Sequence, residues 1–370
     1  MKKTLVALAV TAFATSASAL TIYEADGTKV DFGGSIRMRL DNHREYTKVG
    51  GVKQDEKRAH TNLHNDGSRF ELKMRHDIND DFYGFGRLEF RFNGGNRASG
   101  TDQFGDLYTN RAYVGLGSKT YGEVTFGRQV TIGDDIHQAG YDNAYGVFDT
   151  ALTDSGRSVI RYDYKGIEGL QVGFDYRFAE ERGKDGEVVD PTADKEYVLK
   201  SGYGAGIIYS FDVADGQAAT LAAGYTRDNY KSDVVGPYAY KKHTRDAWGA
   251  SAKYEINDFE FALDYTGQFG KKGSEKNVVN GFRVGGLYNV LPNVAVYGNY
   301  GLLYNEVKDS GDSVKERSQR HRFMLGTSYK PHKQIMTYVE AGYSTAKITK
   351  GQVEEKPRET NFGIGLRVFW

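Results

Sequence analysis

The stretch LQVGFDYRF, residues 170–178, alternates without a break. Successive side chains of an extended chain point to opposite sides, so Leu170, Val172, Phe174, Tyr176 and Phe178 share one face while Gln171, Gly173, Asp175 and Arg177 share the other. This predicts a strand with one wholly apolar face and one wet face that carries charge. The same alternation sets Phe70, Leu72 and Met74 against Arg69, Glu71, Lys73 and Arg75, and Leu88, Phe90 and Phe92 against Arg87, Glu89 and Arg91. Further along, Phe259, Phe261, Leu263 and Tyr265 oppose Glu260 and Asp264, and Phe282, Val284 and Tyr288 oppose Arg283 and Asn289. The chain ends on a final copy, with Phe362, Ile364, Leu366, Val368 and Trp370 on one side.

The connectors alternate in length. Short ones, such as Asn79-Asp80-Asp81, Ala214-Asp215-Gly216 and Asn257-Asp258, are built from residues that tolerate turn conformations. Long polar ones lie near residues 44–67, 94–106, 130–156, 180–200, 228–244, 270–280, 306–319 and 348–358, and seven short turns with eight long loops join sixteen strands. A sheet of that size, apolar on one face, exposes that face and two unpaired edges if it stays open in water. Closure into a barrel within a bilayer removes both problems, since lipid covers the apolar face and every backbone group is paired. A soluble β-sandwich would have to bury Arg87, Glu89 and Arg91, each at a cost of several kcal/mol unless paired; a ring of sixteen strands encloses water instead. Tyr164, Tyr176, Tyr209, Tyr254, Tyr288 and Tyr329 sit on outward faces near strand ends, where interfacial aromatic girdles belong.

Composition agrees. Only 39% of the 370 residues are hydrophobic, which excludes a helical membrane protein, yet 27 Tyr, 20 Phe and 46 Gly with five Pro exclude a disordered chain. Lys2 and Lys3, the apolar run Leu5 to Ala14 and the small residues Ala17-Ser18-Ala19 read as a signal peptide, residues 1–19, with residues 20–370 as one barrel domain. Without cysteine there is neither a lipid-attachment site nor a disulfide framework. Basic and acidic residues number 49 each, so no excess of positive charge points to nucleic acid.

One loop differs from the rest. VTIGDDIHQAGYDNAYGVFDTALTDSG, residues 130–156, holds five aspartates, one histidine and neither lysine nor arginine. Loops beyond about 15 residues tend to be functional or disordered, and Tyr141, Tyr145, Val147, Phe148 and Leu152 give this one something to pack with. It is expected to lie inside the barrel as a constriction. Its acidic tips are expected at Asp142 and Asp149, then at Asp134 and Asp135, facing arginines across water. The competing reading is that these aspartates cap turns within the loop.

The segments DGTKVDFGGSIRMRL (26–40), SRFELKMRHDINDDFYGFGRLEF (68–90), NRAYVGLGSKTYGEVTFGRQ (110–129), RSVIRYDYKGIEGLQVGFDYRF (157–178) and NFGIGLRVFW (361–370), in this order, resemble the general diffusion porins of Gram-negative outer membranes, most closely the major porins of the Pasteurellaceae. The resemblance implies an outer-membrane homotrimer of 16-stranded barrels, each with its third loop folded inward. It places the arginine ladder on Arg69, Arg128 and Arg161. The family's first-strand lysine falls on Ser35, with Arg37 and Arg39 on the same face to replace it, and the enteric Pro-Glu-Phe-Gly-Gly signature of the third loop is absent. Expected partners are outer-membrane lipid and lipopolysaccharide, the assembly machinery that reads the strand ending at Trp370, and small hydrophilic solutes and ions.

Two points stay open at this level. The three ladder arginines can equally form ion pairs with neighbours such as Glu71 or Asp163. Arg128 shares parity with the outward residues Val124 and Phe126, so a bulge after Phe126 or the end of the strand must intervene if it faces the lumen. No His-Glu-x-x-His, Gly-x-Ser-x-Gly or Asp-x-Asp-x-Asp-Gly spacing occurs, so the reading is a channel, not an enzyme, with no cofactor or metal. Its rival is a substrate-specific channel for a sugar, nucleoside or peptide, with Tyr83, Phe85, Tyr113 and Tyr297 lining the lumen.

Overall fold

The computed structural model describes residues 19–370 except 59–60, 93–104, 106, 180–197, 232–242, 310 and 312. Sixteen antiparallel staves form a closed ring. The first, Thr28–Val49, pairs with the last, Val353–Phe369, in a ladder that sets Ser35 opposite Phe369. The second stave is interrupted, and its pieces Val52–Arg58, Asn62–Asn65 and Arg69–Asp77 all ladder onto the first. From Phe82–Phe92 onward every stave pairs with its predecessor in the chain. A short strand, Leu20–Ala25, folds back on the start of the first stave, with Leu20 opposite Phe32. Trp370 exchanges backbone hydrogen bonds with Gly34 at 3.0 and 3.2 Å, so this strand continues the line of the last stave past its end.

The faces fall where the alternation put them. In Leu170–Arg177, Phe174 is 53% exposed toward the outside, while Arg177 on the lumen side is 1% exposed. The outward tyrosines Tyr176, Tyr209, Tyr254, Tyr288 and Tyr329 are all exposed.

The long connectors differ from expectation in one respect. Near 44–67, 270–280 and 348–358 the ladder continues almost to the tip: Val49 pairs with Val52, Lys272 with Glu275, and Lys350 with Val353. The polar composition that reads as loop is that of two-stranded ribbons standing in water. Cross-strand ion pairs hold them, including Arg44 with Glu56 at 2.7 Å and Lys347 with Glu354 at 2.7 Å, and their turns use glycine at positive φ, 62° at Gly273 and 58° at Gly351. The connectors near 94–106, 180–200 and 228–244 and nearly all of the proposed signal peptide lie outside the described residues.

Candidate pore constriction

The inner loop is shorter than 130–156 by its two ends. Val130 and Ser155 still pair across the ladder, and Thr131 N–H donates to the Asp154 carbonyl at 2.8 Å, so the insert proper runs from 131 to 154. It opens with a single 3-10 turn, Ile132–Asp135. Ile132 and Ile136 are completely buried, against a wall that has no side chains to oppose them. Gly173 pairs directly with Gly206, Gly206 with Gly224, Gly224 with Gly249, Gly249 with Thr266, and Thr266 with Gly281. Six consecutive staves thus carry five glycines and a threonine at one level of the inner face. A Cβ at Gly173 would stand 2.5 Å from Ile132, one at Gly224 2.7 Å from Ile136, and one at Gly249 2.9 Å from Leu152. This glycine row is a groove, and the loop's apolar side chains fill it.

Polar groups fix the loop's path along the wall. Asp264 accepts the backbone N–H of Gln138 at 2.9 Å and of Ala139 at 3.0 Å while pairing with Arg283 at 2.6 Å. At the far end Glu340, fully buried, accepts the N–H groups of Asn143, Ala144 and Tyr145 at 2.5, 2.8 and 3.0 Å and the Tyr297 hydroxyl at 2.9 Å. Arg367 closes the tip by donating to the Asn143 carbonyl at 2.6 Å. On the return, Arg322 donates to the Gly146 carbonyl at 3.2 Å, the Thr266 hydroxyl accepts from Ala151 N–H at 2.9 Å, and Thr153 bonds Thr226 and Asp228 at 3.2 and 2.5 Å. The loop therefore travels out over the seventh to sixteenth staves and comes back, touching the sixth at Arg161 and the first at Arg39 and leaving the second to fifth bare.

Those staves, with the first and the last beside them, carry the arginines. Arg367 stands directly opposite Arg37, and Arg69 directly opposite Arg91. Like charges in such positions repel, and two carboxylates offset the repulsion. Glu89, 1% exposed, lies 2.6 Å from Arg91, 2.9 Å from Arg87, 3.4 Å from Arg111 and 3.8 Å from Arg69. Asp66 lies 2.5 Å from Arg39 and 2.9 Å from Arg367. A cavity of about 330 Å³ joins Arg91, Arg111, Arg128 and Arg157 of this wall to Asp134 and Asp154 of the loop.

The expected site residues separate into two groups. Arg37, Arg39, Arg69 and Arg128 belong to the bare wall, and Asp134 and Asp149 are exposed on the loop. The open question at Arg128 is answered by a bulge: the ladder slips between Gly127 and Gln129, and Gly127 takes φ 137°, which turns Arg128 inward. Arg161 and Asp135 pair with each other, and Arg161 also reaches Asp163 at 2.6 Å and the Thr131 carbonyl at 2.8 Å. The ion-pair reading fits Arg161, which is only 7% exposed. Asp142 is half-buried beneath the returning chain. Desolvation by the packed loop and wall pushes the Asp142 carboxyl up to about 6, with nearby Glu340 adding to the shift, and does the same, with neighbouring Asp135, for Asp134, also to about 6, although the Asp134 side chain opens on the cavity.

Sequence reasoning missed Arg91, Arg111 and Arg367 on the wall and Asp154 on the loop. It also passed over the groove, whose signal was present as glycine at inward parity in strand after strand. Gly202-Tyr203-Gly204-Ala205-Gly206 shows why: Cβ atoms at its three glycines would strike Arg177, Asp175 and Ile132 respectively.

The family model for Gram-negative porins matches residues 4–349. A curated relative, the major outer membrane protein of Pasteurella multocida (strain Pm70), is 29% identical over 389 residues, covering 100% of this chain and 99% of that protein. Among solved structures, a loop L8 deletion mutant of OmpT, an outer membrane protein of Vibrio cholerae, superposes with TM-score 0.64 at 22% identity, covering 93% of this chain and 100% of that one. An anion-selective porin from Comamonas acidovorans gives TM-score 0.63 at 19% identity, with 93% and 100% coverage.

Proposed function

The chain belongs to the Gram-negative porin family, and from that membership we propose how its lumen sorts the solutes that diffuse across the outer membrane. The barrel is a water-filled channel for passive movement of ions and small hydrophilic solutes. At the level of the loop the exposed carboxylates Asp134, Asp149 and Asp154 face the arginine wall of the first six staves and the last. The observation that carries this reading is the one-sided path of the loop, which runs over ten staves and leaves Arg69, Arg91, Arg111 and Arg128 on the open side. Opposed charges across a narrow aqueous gap orient water and dipolar solutes, and the gap itself sets the size limit. The work is transit rather than catalysis.

Residues 1–19 are read as a signal peptide removed after Ala19, and the assembled form as a homotrimer in lipid and lipopolysaccharide.

Single-channel recording in planar bilayers tests the channel itself: conductance proportional to bulk salt is expected, and absence of any step would refute it. The double change Asp134→Asn, Asp149→Asn should move the zero-current potential in a potassium chloride gradient toward anion preference. No movement would mean that the loop carboxylates do not face the ion path.

A pH titration probes the same face. Asp134 and Asp142 are ionised above about 6 and protonated below it, so lowering pH from 7 to 5 should shift the zero-current potential toward anions with a midpoint near 6. The sign for stability runs the same way. Both groups sit above their ordinary value of 3.8, so the folded state takes up the protons first, and their contribution to stability rises as pH falls from about 6 to about 4.

The rival reading loses its four-residue aromatic line. Tyr297 is 1% exposed beneath the loop, bonded to Asn143 at 2.6 Å and to Glu340, far from the other three in the ring of staves. Tyr83, Phe85 and Tyr113 remain together.

A further inference from the structure

Those three aromatic residues break the rule of the wall they belong to. The inward face of the second stave is charged at every position, Arg69, Glu71, Lys73, Arg75 and Asp77, yet on the neighbouring third stave Tyr83 and Phe85 take the inward positions beside the short turns. No lipid covers this face, so burial in the bilayer does not explain them. Their rings lie flat, because the positions opposite are glycines: Tyr83 pairs with Gly117 and Phe85 with Gly115. A Cβ at Gly115 would stand 2.5 Å from the Phe85 ring, and one at Gly117 would collide with Tyr83.

The shelf is fixed before any solute arrives. The Tyr83 hydroxyl donates to Glu123 at 2.7 Å, the Arg75 guanidinium sits 3.6 Å from the centre of its ring, and the Tyr83 and Phe85 centroids are 5.8 Å apart. Phe85 and Tyr113 are half-exposed to the lumen. Together with Lys29, Lys73 and Arg87 they border a cavity of about 350 Å³, within the size range of small-molecule sites. Four cations and two carboxylates, Asp31 and Glu123, line it; Lys73 and Arg75 pair with Glu71 and Asp77, each at 2.9 Å, yet their side chains stay 48% and 42% exposed, so a solute carboxylate can still reach them. Arg87 and Arg91 lie on the same face of one stave with Glu89 between and bonded to both, so the charged surface runs from the constriction to the shelf.

We propose that this shelf is a second solute station on the periplasmic side of the constriction, which holds aromatic carboxylates by stacking them on Phe85 and Tyr113 and pairing their charge with Lys73 and Arg75. The inference rests on the channel reading but is separable from it. Flat ring faces beside cations favour a solute with one apolar face and one anionic end, and preorganisation lowers the cost of binding it. A carboxylate without a ring meets only screened, already paired cations. An uncharged sugar meets only the rings.

The test is current blockade in single channels with benzoate, acetate and glucose as probes, each added to either side in turn. Benzoate is expected to interrupt the current with half-blockade on the order of millimolar, the weak range suited to release, and acetate and glucose to leave it steady. Phe85→Ala with Tyr113→Ala should weaken the benzoate block by roughly tenfold. Phe85→Leu, which keeps the bulk and loses the ring, should weaken it several-fold, and Arg75→Gln should do likewise. Conductance in potassium chloride alone reports that each variant has folded and conducts. Equal effects of benzoate and acetate, blockade by glucose, or an unchanged block in the ring variants would overturn the station while leaving the channel standing. Loss of conductance in the unmodified protein would instead overturn the channel reading itself.

Discussion

Glu340→Ala is expected to release the tip of the inner loop, raising single-channel conductance and adding rapid fluctuations to the open state. Glu340 is fully buried and accepts three consecutive backbone N–H groups together with the Tyr297 hydroxyl. Each buried donor stranded without a partner costs about 1–3 kcal/mol, so three or four at one place exceed what the half-buried ring of Tyr145 can hold against Gly342 and Gly363. Glu340→Gln retains one acceptor oxygen and should give an intermediate conductance. A trace identical to wild type for Glu340→Ala would show that the tip is held by Arg367 and Arg322 alone.

Phe174→Arg should destabilise the folded barrel by about 2–4 kcal/mol, as charged substitutions at mid-bilayer positions do. Urea unfolding in lipid vesicles measures this, and an unchanged midpoint would invert the assignment of faces. The matched control must be a lumen residue in water. Arg177, on the opposite face of the same strand, is unsuitable: it sits 2.5 Å from Asp175 and 3.0 Å from Asp228, all three essentially buried. Arg177→Leu would leave two carboxylates unpaired and cost about 3–5 kcal/mol on its own. Lys73, whose side chain is 48% exposed to the lumen, is the better comparison, and Lys73→Leu should stay within about 0.5 kcal/mol of wild type.

The contrast between Phe174 and Arg177 marks what the sequence made legible. Period-two alternation depends only on nearest-neighbour geometry, so it revealed the strands, their faces and their number from one residue to the next. It also exposed the insert as the one long acidic connector. It did not reveal which carboxylates of the insert meet water, because that depends on contacts between distant parts of the chain, from 26 residues apart for Asp135 and Arg161 to 197 for Asn143 and Glu340. Asp135 is spent on Arg161 and Asp142 is half-covered, while Asp154, read only as the end of the stretch, borders the gap. The wall was incompletely read for a related reason. Arg91 and Arg111 join Arg69 through the register of consecutive staves, and Arg367 meets Arg37 only once the ring closes; register and closure are properties that no single segment carries. Polar segments near residues 270–280 and 348–358 looked like loops because alternation loses its apolar half where lipid ends.

The way the barrel grips its insert has an evolutionary corollary. Glu340 and Asp264 take hold of main-chain amides, which every residue but proline supplies, and the row of glycines is a smooth track that accepts any small branched or aromatic side chain. The fixture thus recognises the path of a backbone and almost nothing of its letters. A foreign segment of equal length, with aliphatic residues at the spacing of Ile132 and Ile136, should snap into the same cradle, so that the barrel serves as a chassis and the insert as an exchangeable cartridge whose outward charges set what passes.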